Sequence, residues 1–142
     1  MRPREAEGVR AGEVRRRDMF GDVLVDANYT FADEFNRPVQ DWLASAVWAD
    51  VWTREEVLDR RTRSLLTIAM LVALNRPEEL EMHVRASLTN GCTVEDIREV
   101  LLHTGPYCGA PAALSSFRVA ERILAEEGLL PPRISPKGVD HV

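Results

Sequence analysis

Two pairs of side chains in this sequence have the types and spacing for acid–base chemistry. Glu79 and His83 stand four residues apart in EELEMHV, and Glu99 and His103 repeat that interval in EVLLH. On a helix, residues four apart share a face, where a carboxylate can orient an imidazole and raise its pKa. The same interval also makes ordinary solvated pairs worth ~0.3–0.5 kcal/mol, so spacing alone leaves both readings open. Tyr107 and Cys108 follow the second pair. Cys108 reads either as a lone thiol nucleophile or as a small buried hydrophobe. Cys92, between one helix end and the next helix start, reads as structural. His83, His103 and His141 lack the HxH or HExxH spacing of a metal site, and no metal is expected. There is no nucleophile elbow, phosphate loop or dinucleotide fingerprint.

Composition narrows the chemistry further. The chain has 142 residues, enough for one domain with its own core. A net charge of −5, without a dense basic stripe, argues against nucleic acid or an anionic membrane surface as partner. Arginine is the dominant cation, and the one lysine, Lys137, lies among Pro132, Pro136 and Gly138. Schiff-base and pyridoxal mechanisms need a buried lysine amine, which makes lysine-dependent chemistry a poor fit and points to a reaction without a cofactor. Two cysteines sixteen residues apart form neither a disulfide framework nor a CxxC motif. The N-terminus has no apolar h-region, and the longest apolar run, Leu65 to Leu74, is too short to span a bilayer, so a cytoplasmic location is expected.

The elements that would carry these residues read as helices throughout, and the expected class is all-α. Residues 1–18 form a charged arm with a frayed helical start, in which Arg15–Arg17 are solvated. A helical domain covers 19–128, and 129–142 is a proline-rich tail. Apolar residues recur through Met19, Phe20, Val23, Leu24, Tyr29 and Phe31. One or two helices over 33–52 place Phe35, Val39, Trp42, Leu43 and Ala46 on a stripe, and Trp48 and Trp52 on one face. Thr53 with Glu56 has the form of a capping box, and Asp59 caps the helix that carries LLTIAMLVAL. That helix is apolar all round, which calls for a central position or a covering subunit. Pro77 opens the next helix and Asn90-Gly91 closes it; Thr93 caps another, which Gly105-Pro106 breaks; Pro111 opens the last, which Gly128 closes.

Several strings resemble the γ-carboxymuconolactone decarboxylase family: VWADVWTR (47–54), RTRSLLTIAMLVALNRPEEL (61–80), HVRASLTNGCT (83–93), IREVLLH (97–103), YCGAPAA (107–113) and FRVAE (117–121). Their order and gaps fit over residues 20 to 126; the Gly105-Pro106 dipeptide departs from the family pattern. The resemblance implies the alkylhydroperoxidase D-like fold of about six helices, in a homo-oligomer such as a hexamer or trimer. It also implies loss of carbon dioxide from 4-carboxymuconolactone, giving 3-oxoadipate enol-lactone in protocatechuate catabolism. Peroxidase members of the wider superfamily carry C-x-x-C-x-x-x-H. Counted back from His83, those cysteine positions hold Arg76 and Glu79, so dithiol chemistry is disfavoured.

The implied substrate is its own electron sink, since the leaving carboxylate is conjugated to the lactone carbonyl. A protein would supply cations for the dianion, a donor for the developing oxyanion and an acid for reprotonation. Arg76 is the first candidate cation, with Arg63 and Arg85 behind it. His83 is the expected general acid, oriented by Glu79. His103 and Tyr107 are candidate oxyanion donors, Cys108 a further lining residue, and Trp48 and Trp52 the apolar wall beside the leaving carboxylate. Arg76, Glu79, His83 and His103 are then expected to line one cavity. Two rival functions fit the same fold: a thiol redox protein using Cys108, and a non-catalytic module that binds small aromatic acids.

Overall fold

The longest local agreement between pattern and structure lies in the second half of the chain. A computed structural model describes residues 3–30 and 34–131, with side chains from residue 6 onward. Phe31 and residues 132–142, with Lys137 and His141, lie outside the described residues. Asp59 accepts a hydrogen bond from the Thr62 amide at 2.7 Å and starts α4 (Arg60–Ala73). Pro77 sits in the first turn of α5 (Pro77–Thr89), and Asn90 follows its end, with Gly91 at φ +90°. Thr93 and Asp96 form a reciprocal capping box at the start of α6 (Val94–Cys108). α7 (Ala110–Glu126) follows after Gly109, with Pro111 in its first turn.

These four helices enclose the main core, in which Ile68, Val84, Ile97 and Ile123 are fully buried. Arg61 pairs with Asp96, Arg85 with Glu126 and Arg122 with Glu81, so α4 with α6, and α5 with α7, advance in the same sense. Asn90 Nδ2 donates to Ser64 Oγ at 3.0 Å, a buried polar link between α4 and α5. α4 turns Ile68 and Val72 inward and leaves Leu66, Met70 and Leu74 exposed. Of the two positions its all-round apolar pattern allows, it therefore takes neither fully within one chain.

The N-terminal half departs most from expectation. Residues drawn as a frayed arm belong to α1 (Pro3–Phe20), which packs along the segment after residue 36; Gly21, at φ +79°, turns the chain into α2 (Asp22–Thr30). Arg16, expected in solvent, is buried and donates to Gln40 Oε1 at 2.9 Å. α1 can lie so close because Gly12 faces the neighbouring backbone; a Cβ there would come within 1.7 Å of the Ala44 carbonyl oxygen. The described residues thus hold seven α-helices, against about six expected.

α3 (Arg37–Trp42) continues as a π-helix over Leu43–Ala49. Five-residue hydrogen bonds run from Asp50 N to Ser45 O at 3.0 Å and from Trp52 N to Val47 O at 3.1 Å. The wider turn advances the register, so a stripe drawn at the α-helical period drifts out of the core. Val39 and Trp42 on α3 are exposed and Phe35, in the turn before it, is 94% exposed, whereas Ala44 and Trp48 in the π-helix are buried. Thr53, expected as an N-cap, donates its hydroxyl to the Ala49 carbonyl and closes this segment; residues 50–58 form turns and no helix follows until Asp59. Pro106 does not break α6. It stands near the helix end, where only the bond to the Leu102 carbonyl is lost and Gly105 relieves the crowding before proline, and the helix stops at Gly109, φ +93°.

Candidate active site

His83 lies in the middle of α5, and Trp48 and Trp52, expected as an apolar wall, pack against it. The π-helix and the turn after it bring Trp48 and Trp52 together, with ring centroids 5.5 Å apart. His83 stacks on both indoles, at 6.4 and 6.5 Å. Phe20, the last residue of α1, sets its edge against Trp48 and against His83, at 5.4 Å in each case. Met19 and Ala86 complete this second core. The four rings come from three separate parts of the chain, and the π-turn aims Trp48 inward.

This environment decides the protonation state of His83. Burial removes water from the charged imidazolium and pushes the pKa down to about 4; the charge of Glu79 opposes the shift without reversing it. Glu79 itself is exposed in the first turn of α5, and among the described residues no hydrogen bond joins it to His83. The expected orienting contact is therefore replaced by ring packing. At neutral pH the imidazole is uncharged, able to donate from one nitrogen and accept at the other.

A cation is bound to the turn that follows Trp52. Arg63 on α4 is half-buried and donates from Nη2 at 2.7 Å to the carbonyl of Arg54, two residues after Trp52. Its Nε is buried with no acceptor, and among the described residues it pairs with no carboxylate. Most other arginines do pair; Arg85, for example, is tied to Glu126 and Glu127.

The remaining expected residues are placed elsewhere. Arg76 is exposed at the start of α5 and lines a cleft of about 40 Å³ with Leu71, Ala112 and Ser115. His103 lines an open groove of about 590 Å³ with Leu65, Glu99 and Pro106. Its ring lies 5.1 Å from Tyr107, and both side chains are exposed. Glu99 leans toward Arg98 at 3.7 Å rather than toward His103. Cys108 is half-buried at the end of α6. One chain thus gathers His83, Trp48 and Trp52, with Arg63 beside them, and separates Arg76 and His103 into different clefts. Phe20 and Arg15, which on α1 binds Glu55 in the turn after Trp52, escaped spacing arguments. Phe20 is one apolar residue at a helix end, and Arg15 sits in a charged run that reads as surface.

The sequence profile of the carboxymuconolactone decarboxylase family matches residues 37–122, which span the π-helix, the nest tryptophans and all of α4 to α6. A 4-carboxymuconolactone decarboxylase of Acinetobacter baylyi is 36% identical over 120 residues, covering 84% of this chain and 89% of its own. Nitrosuccinic acid decarboxylase npaB of Metarhizium robertsii is 35% identical over 109 residues, covering 77% of this chain and 76% of its own. An uncharacterized 15.0 kDa protein of Paracoccus denitrificans is 34% identical over 84 residues, covering 57% of this chain and 62% of its own. With a profile match over residues 37–122 and two alignments that each cover more than three quarters of the chain, the chain belongs to the carboxymuconolactone decarboxylase family.

Proposed function

We propose that the protein is a carboxy-lyase that needs no cofactor and removes one carboxylate from a small dicarboxylate bearing its own electron sink. 4-Carboxymuconolactone is the leading substrate. The observation that carries this reading is a neutral, half-buried His83 in an aromatic nest, with the carboxylate-free Arg63 bound to the turn that follows Trp52. The names of two relatives support it, since a carboxymuconolactone and nitrosuccinic acid both pair carboxylates with an electron-withdrawing group, a lactone or a nitro group.

In this mechanism the leaving carboxylate lies against Trp48, Trp52 and Phe20. Poor solvation there favours the neutral product, carbon dioxide. The C–C bonding pair moves through the double bond to the lactone carbonyl oxygen, and the N–H of His83 donates to that oxyanion. The dianionic substrate raises the His83 pKa on binding, so the imidazole takes a proton from water and passes it to carbon. Arg63 supplies the fixed positive charge, ahead of Arg76. Glu79 acts on His83 through its charge alone. His103, Tyr107 and Cys108 join the site only if a second copy of the chain brings its α6 against the nest. The exposed Leu66, Met70 and Leu74 of α4 support such a homo-oligomer.

The test is carbon dioxide release from 4-carboxymuconolactone by purified protein, without added metal or thiol. His83→Ala should lower the rate by well over ~10-fold, a typical loss for a proton-transfer group. An untouched lactone sinks the specific substrate, and turnover of nitrosuccinate would then keep the wider reaction class. Cys108→Ser should leave the rate unchanged; loss of peroxide consumption in that variant would instead favour a thiol redox protein.

A further inference from the structure

Guanidinium groups converge on the turn that follows Trp52. Arg15 of α1 binds Glu55 through Nη2 at 2.7 Å, and Arg60 of α4 binds the same carboxylate through Nε at 2.9 Å. Arg60 also lies 3.9 Å from Asp18, and Arg63 holds the Arg54 carbonyl. Arg15 and Arg60 therefore share two carboxylates, and Arg63, which pairs with none among the described residues, leaves the cluster one positive charge. Two of its donors, Nη1 of Arg15 and Nε of Arg63, are buried without an acceptor. The Arg15 side chain is only 14% exposed. A buried N–H left unpaired costs free energy, and a carboxylate is the acceptor that fits a guanidinium edge best. The cluster borders the aromatic nest twice. Met19, one turn after Arg15, packs with Trp48 and Trp52, and Arg54 and Glu55 stand two and three residues after Trp52 in the chain.

We propose that Arg15 is a substrate-binding residue and that, with Arg63, it holds the carboxylate that a dicarboxylate substrate keeps. The assignment of the other carboxylate as the one that leaves rests on the decarboxylation proposed above; the binding itself does not. The division of labour follows from charge. A guanidinium on the leaving carboxylate would stabilise the ground state more than the transition state, whereas the retained carboxylate stays anionic throughout. Arg15 therefore contributes to binding in both states, and its loss raises KM rather than lowering kcat.

The probe is succinate, titrated calorimetrically into the full chain and into three variants. Arg15→Gln should weaken succinate binding about tenfold or more, the loss of one charge-assisted hydrogen bond. Arg15→Lys keeps the pair with Glu55 but loses the second N–H, and should also weaken binding while melting like the parent. Glu55→Gln removes a competing anion and should bind succinate as tightly or more so. With the lactone, Arg15→Gln should raise KM by a similar factor and leave kcat within about twofold. Equal weakening by Arg15→Gln and Glu55→Gln would mean that Arg15 only positions the turn, and the proposal fails. Absence of saturable succinate binding by the parent overturns it as well. Arg15-dependent succinate binding with an untouched lactone leaves the clamp standing and removes the decarboxylation.

Discussion

Replacing Gly12 by alanine sets two well-calibrated effects against each other. Gly12 is inside α1 and has no positive φ, so helix propensity alone predicts that alanine stabilises by roughly 1 kcal/mol. Sterics predict the opposite. The new Cβ would lie 1.7 Å from the Ala44 carbonyl oxygen and 2.4 Å from its carbon. Carbon and carbonyl oxygen normally approach no closer than about 3.3 Å, so α1 must withdraw by roughly 1.5 Å. Overpacking of that kind costs ~1–3 kcal/mol, and backbone contacts, which cannot swing aside, belong at the upper end. The expected net change is a destabilisation of about 1–2 kcal/mol after the propensity gain. Gly8→Ala is the control on the same helix face. Its Cβ would meet Ser45 Cβ at 3.5 Å, an ordinary contact, so it should be neutral or stabilising. Equilibrium urea unfolding of both variants reads the difference. Because α1 also carries Arg15, Met19 and Phe20 to the nest, kcat/KM should fall in Gly12→Ala and not in Gly8→Ala. A Gly12→Ala protein as stable as Gly8→Ala would refute the close approach of α1 to the π-helix.

Three further outcomes follow from the same structure. With His83 titrating at about 4 folded and near 6.5 unfolded, the unfolded chain binds the extra proton between those values. Stability should therefore fall as pH drops through that window, by on the order of 3 kcal/mol, and a urea series from pH 7 to 4 should lose that slope in His83→Phe. Pro106→Ala restores an amide facing the Leu102 carbonyl inside α6 and should raise the melting temperature, by an amount equivalent to roughly 1–3 kcal/mol; a lowered value would show that the proline shapes something essential. Burial pushes the Cys92 thiol up to about 11, so alkylation at pH 8 mapped by mass spectrometry should label Cys108 well before Cys92.

Much of α4 to α7 was legible in the sequence because its signals are local. Asp59, Pro77, Asn90-Gly91, Thr93 and Pro111 each satisfy or forgo hydrogen bonds within a few residues, and distant contacts hardly alter that balance. The all-α class and the pairing of Trp48 with Trp52 come from the same short range. His83 as a candidate was also legible, from a motif and a family resemblance.

Its surroundings were not. Whether Glu79 orients His83 depends on what covers the ring, and Phe20 arrives from sixty-three residues away in the chain. The π-turn shifts the register of one helix by a single added residue, which no α-helical period reveals. Arg15 and Arg16 read as surface because charge runs are usually solvated, yet in the packed α1 Arg16 is buried and Arg15 half-buried. Sequence by itself determined the all-α class and the caps of α4 to α7, and it singled out His83 as a candidate to move a proton. Tertiary structure decided that this residue is neutral and set among aromatic rings, with Arg63 and Arg15 bound to the turn after Trp52. Burial and desolvation depend on elements remote in the chain, and local patterns carry no record of them.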